Sequence, residues 1–118
     1  MRQYEVWKSV PGYKNLYEVS NHGRIKGIKR GNVLKYGLNN KGYCLVTLWK
    51  NNEQKTFSVH RIVASVFIPN KYKYPQVNHK DACKTNNKAL NLEWVTGRAN
   101  IQHAIDNKIF KATRLKIG

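Results

Sequence analysis

Acidic side chains are scarce in this sequence. Six Asp and Glu face 22 Lys and Arg, leaving a net charge of +16 and a pI near 10.1. So large an excess of one sign goes beyond what solubility requires. It draws the chain to a polyanion, of which nucleic acid is the commonest. Long apolar runs are also missing. None approaches the roughly 18 residues of a membrane span, and no charged-then-apolar signal segment opens the chain. A membrane partner is therefore not expected, and the expected location is the cytoplasm of the producing cell. Cysteine is limited to Cys44 and Cys83, with no CxxC pair. That argues against a zinc ribbon and for reduced thiols, with Cys44 in the core. There is no internal repeat and no low-complexity tract. What is present is 41% hydrophobic residues in 118, enough for a folded domain with a modest core.

The first part of the chain, 1–58, reads as turn-rich β material. Pro11-Gly12, Asn21-His22-Gly23, Gly27 and Gly31-Asn32 punctuate short apolar patches. Leu16, Tyr17 and Val19 suggest a strand, with Arg24–Lys26 its partner across the Ser20–Gly23 turn. Val33–Lys35 suggests another. Residues 43–50, YCLVTLWK, form the clearest strand, and Lys55–Val59 returns across a loop at Asn51–Gln54. From His60 the period changes. Ile62, Val63, Val66 and Phe67 share one face of a short helix, which Pro69 stops.

Residues 59–107 then read helix, strand (Gln76–His79), long polar loop (Lys80–Lys88), strand (Leu90–Val95, entered irregularly) and a helix from an N-cap at Thr96 to Asn107. A basic tail follows over 108–118. Trp7, Trp49 and Trp94 are expected in the core, His60 packed near its helix start and His22 in a turn.

The chemistry gathers between Val59 and His103, in VNHKD, KTNN, NLEWVT and GRANIQHA. His79 is the candidate general base, since an imidazole titrates near neutrality. Asn78 and Asn100 offer side-chain oxygens for one hard divalent cation, Mg²⁺ or Mn²⁺. His103, three residues after Asn100, is a further candidate ligand on the same helix face. Asn91 is expected to orient His79 by accepting from Nδ1–H, which leaves Nε2 for water. Asn86 and Asn87 are read as turn residues that shape the loop. Arg24, Lys26, Lys29, Arg30, Arg61, Lys84 and Arg98 are the candidate DNA contacts, Arg98 beside the last helix's N-terminus.

On these motifs the span 59–103 resembles the HNH endonucleases of the phage and intron-homing type. Trp7–Lys26, WKSVPGYKNLYEVSNHGRIK, is similar to the nuclease-associated modular motif that often precedes them. The resemblance implies an α+β protein: a small antiparallel β module, then a ββα-metal (His-Me finger) nuclease core. It implies a metal-dependent endonuclease that nicks or cuts double-stranded DNA, acting as monomer or dimer in a bacterial host's cytoplasm. By the same resemblance His79 is the base, Asn78 stands where many members carry aspartate, Asn100 is the second metal ligand, and Asn91 steadies the histidine. The rival reading is a non-catalytic basic DNA- or RNA-binding module.

Overall fold

The computed structural model describes residues 4–96, in which two small sheets are joined to a third by one helix. The first sheet has the order β1 (Trp7–Ser9), β2 (Tyr17–Ser20), β3 (Ile25–Gly27), all antiparallel. The expected strand pair across Ser20–Gly23 is present, with Val19 opposite Ile25, and both side chains are fully buried. β1 adds an edge strand on the far side of β2. Val33 makes only an isolated bridge to Lys26. The Gly27–Asn32 turn bonds to itself there, through Gly27 N–H to Asn32 O and Gly31 N–H to Gly27 O. The next strand, β4 (Gly37–Leu38), instead forms four residues further on and pairs with Leu45 and Cys44.

β5 (Cys44–Lys50) and β6 (Glu53–Ser58) make the central hairpin. Cys44, Val46 and Leu48 alternate inward, while Thr47 and Trp49 face out, the pattern of a half-buried strand. Trp49 is 54% exposed and therefore a surface residue, contrary to its expected place in the core. The loop is only Asn51–Asn52, both at positive φ, so Glu53 and Gln54 already belong to the return strand.

Helix α1 (Val59–Phe67) follows directly and buries Val59, His60, Ile62, Val63 and Ala64. β7 (Gln76–His79) and β8 (Leu92–Val95) form the third sheet, with a 3-10 turn at Ala89–Asn91 leading into β8. Trp94 Nε1 donates to Ile68 O at 3.0 Å and so ties β8 to the end of α1.

One buried cluster unites these pieces. Val10, Val19 and Ile25 come from the first sheet, Val46 and Leu48 from the second, Val59, Ile62 and Val63 from α1, and Val77 and Leu92 from the third. Fully burying such aliphatic side chains stabilises by about 1.5–3 kcal/mol each. The β module and the later elements therefore share a core. The helix expected over 97–107, and with it Arg98, Asn100 and His103, lies outside the described residues.

Candidate active site

The alternation of β7 places Asn78 and His79 on opposite faces. Both are nearly buried, at 6% and 4% exposure, at the end of a strand where the chain turns into the loop 80–88. Against one face of His79 stand two rings. His60 on α1 lies 5.0 Å away and Tyr43, before β5, 5.9 Å away, and those two stack on each other at 5.0 Å. Lys84 Nζ lies over the Tyr43 ring, 4.9 Å from its centre, and donates to Lys41 O.

His60 is held uncharged. Burial above all, then the neighbouring His79 and Arg61, pushes its pKa down to about 4. Its Nδ1 is, among the described residues, the buried side-chain polar atom without a hydrogen-bond partner. The His60 ring packs against the second imidazole.

His79 has its own partner. Its Nε2 lies 2.8 Å from Asn87 Oδ1, a buried contact. A carbonyl oxygen only accepts, so in this contact Nε2–H is the donor. This differs from the expectation: the side chain bonded to the imidazole is Asn87 rather than Asn91.

Asn91 is occupied elsewhere. Its Nδ2 donates to Asp81 Oδ1 at 2.9 Å and to Asn86 O at 2.8 Å, and its Oδ1 accepts from Asp81 N–H at 3.1 Å. Asn86 Nδ2 donates to the other Asp81 oxygen at 2.8 Å, and Cys83 N–H to the first. The Asn86 bond above all, then Cys83 and Asn91, holds the Asp81 carboxyl below its ordinary range. Asn91 thus clasps the two ends of the loop, and acts on His79 only through the loop's shape. Lys80 N–H to Asn91 O, at 2.7 Å, continues the β7–β8 ladder past His79.

On the opposite face, Asn78 pairs across the sheet with Glu93, and its Nδ2 donates to Glu93 Oε1 at 2.9 Å. That contact turns Oδ1 the other way. An amide oxygen and a carboxylate, paired across neighbouring strands, are ligand types that suit a hard divalent cation. Among the described residues no three His, Cys, Asp or Glu converge as a metal cluster. The oxygen set fits Mg²⁺, which keeps several of its waters and takes few protein ligands.

The candidate DNA contacts are placed as follows. Arg24 pairs with Glu5 through two hydrogen bonds, one from Nε at 2.7 Å, and that contact above all pulls the Glu5 pKa down to about 2. Arg24 and Lys26 both lie over the Trp7 ring, Lys26 at 4.2 Å and near Glu18. Lys29 and Arg30 are exposed on the turn after β3. Arg61 donates to Pro75 O at 2.9 Å and lies over Trp94.

Asn87, His60, Tyr43 and Glu93 were not read from the sequence as site residues. Glu93 has a signal: once β7 and β8 are paired, its register sets it opposite Asn78. Asn87 has none, because it is one of several asparagines in a polar loop.

Comparison with known proteins adds to this geometry. Residues 5–49 match the NUMOD4 motif. The chain is 48% identical over 111 residues to an uncharacterized HNH endonuclease, L245, of Acanthamoeba polyphaga mimivirus. That match covers 94% of this chain and 33% of the relative. It is 41% identical over 97 residues to the DNA endonuclease I-HmuI of Bacillus phage SP01, covering 82% of this chain and 56% of that protein. A solved structure concerned with DNA binding and cleavage by the HNH homing endonuclease I-HmuI superposes with a TM-score of 0.78 at 36% identity. It aligns with 94% of this chain and 67% of that one. The chain thus spans between a third and somewhat over half of these two curated relatives' length.

Proposed function

We propose, from the premise that this chain belongs to the HNH endonuclease family, that it hydrolyses phosphodiester bonds of double-stranded DNA with a divalent cation and His79 as general base. The observation that carries the reading is the pairing of His79 Nε2 with Asn87 Oδ1 at 2.8 Å, one residue from an asparagine whose amide nitrogen is taken up by Glu93. His79 Nδ1 takes the proton from the attacking water, and Asn87 stabilises the imidazolium that forms by accepting from Nε2–H. His60, kept neutral, adds no second positive charge against that ring. Asn78 and Asn100 would hold the cation, with His103 as a further candidate ligand. When bound, Mg²⁺ or Mn²⁺ supplies Lewis-acid chemistry at the scissile phosphate. Lys29, Arg30 and Arg98 meet the DNA backbone, and Lys84, whose Nζ donates to Lys41 O, lies beside the site. Arg24, Lys26 and Arg61 contribute field more than direct contact, being engaged with Glu5, Glu18 and Pro75. One such site cuts one strand.

Supercoiled plasmid incubated with Mg²⁺, Mn²⁺ or EDTA, with and without His79→Ala, tests this. Relaxation that needs metal and is lost in the variant is the expected result. DNA binding without cutting under any metal, equal in both proteins, would overturn it in favour of a non-catalytic binding module.

A further inference from the structure

The turn between β2 and β3 belongs to the NUMOD4 motif, yet it is pressed against the residue that holds the catalytic histidine. Gly23 takes φ +86°, and a Cβ built on it would meet Asn87 O at 2.7 Å, Asn87 C at 2.9 Å and Asn87 Cβ at 3.0 Å. Such separations leave no room for a side chain, so glycine is required here for conformation and for close approach alike. From the same turn, Asn21 O accepts the Ala89 N–H at 2.8 Å. Asn87 thus lies where one backbone packs against it and the same turn binds the chain two residues on. The turn itself is braced. Asn21 Oδ1 accepts from Val6 N–H at 2.7 Å, its Nδ2 donates to Tyr4 O at 2.9 Å, and Tyr36 Oη donates to Gly23 O at 2.8 Å. On the other side Asn87 Oδ1 receives His79 Nε2–H.

We infer that the Ser20–Gly23 turn is a positioning element of the active site, which sets His79 through Asn87 and makes the β module part of the catalytic scaffold rather than only an attachment to DNA. The path is short and rigid. A displacement of the Gly23 backbone moves Asn87, and an Asn87 that moves loosens the only hydrogen bond described for the His79 ring. This rests on the assignment of His79 as the base, but the mechanical link does not depend on it.

Two variants interrupt the path at different atoms. Gly23→Ala puts a Cβ into Asn87. Ala89→Pro removes the N–H that Asn21 O accepts. Ala89 opens the 3-10 turn after an extended Lys88 (φ −64°, ψ 138°), where proline is tolerated. Gly12→Ala is the control, with a similar φ of +81° but nothing within 4 Å of the added Cβ. In full-length protein both path variants should cut plasmid about 10- to 100-fold more slowly, the usual cost of losing a support behind a reacting group. KM for DNA should stay within about twofold, and Gly12→Ala should cut at the unaltered rate. The ring ¹⁵N signals of His79 give a reading that needs no cutting. The unaltered chain should show the Nε2–H tautomer, and both variants a mixture. Should Gly23→Ala not fold, Ala89→Pro decides alone. Folded path variants with unchanged His79 signals and rates overturn the inference. A chain that never cuts, but whose His79 signals shift in both, overturns the nuclease reading and leaves the buttress standing.

Discussion

Two asparagine-rich turns close two hairpins of this protein, and they use the same residue for opposite ends. Between β5 and β6, Asn51 and Asn52 adopt φ of 52° and 63°. Asparagine serves there because its backbone tolerates the left-handed region that a two-residue hairpin with the natural strand twist demands. Between β7 and β8, Asn86, Asn87 and Asn91 work through their side chains, bonding Asp81 and His79. The first turn requires a conformation, so glycine can replace its residues. The second requires a donor and an acceptor on one short arm, which glycine cannot supply. The geometry around His79 thus rests on a polar web in a loop, while the neighbouring hairpin is set by backbone sterics.

The contrast breaks most sharply at Asn87. Asn87→Ala removes the acceptor for His79 Nε2–H, and plasmid cutting should fall about 10- to 100-fold with DNA affinity intact. Cutting at the unaltered rate would return Asn87 to the company of Asn52. Asn91→Ala comes next. It deprives Asp81 Oδ1 and Asn86 O of a donor, and should lower the urea midpoint. An unmoved midpoint would mean that the loop holds without its clasp. In the other turn, Asn52→Ala should cost about 1 kcal/mol because a Cβ is unwelcome at that φ, while Asn52→Gly should cost nothing measurable. Both should leave cutting per folded molecule unchanged. The smallest effect is in acid. Asp81 is depressed by its hydrogen bonds, so its contribution is complete above the unfolded value of about 3.8 and fades as pH falls through its lower folded value. Amide exchange at Asp81 and Cys83 should accelerate below that pH relative to the Asn51–Asn52 turn, which carries no titrating side chain. Parallel acceleration in both turns would show that the web adds nothing of its own.

Much of the fold was legible. Alternation at Cys44–Lys50, the apolar face of α1 and the Ser20–Gly23 turn all left periodic or conformational marks, and burial follows those marks closely. His79 and Asn78 were legible as a pair because a strand end beside a polar loop is a recognisable setting. The identity of the histidine's partner was not. Asn87 and Asn91 are alike in type and share a loop, and which one reaches the ring depends on Asp81 drawing Asn86 and Asn91 to itself. Trp49 misled for a related reason: its size argues for burial, but the β5 register turns it outward. Val33–Lys35 reads as a strand, yet only Val33 bridges to Lys26, and the strand forms at Gly37–Leu38, which carries no such signal.

The seating of Gly23 on Asn87 also bears on how such proteins can be recombined. A chimera that joins this β module to a different nuclease unit cannot be judged by linker length or by charge. Its success turns on whether the recipient's loop offers a backbone that a bare Cα can lie against. Where the recipient brings a larger residue to that seam, or the donor turn lacks its glycine, the hybrid would misalign its imidazole even with its shared core rebuilt.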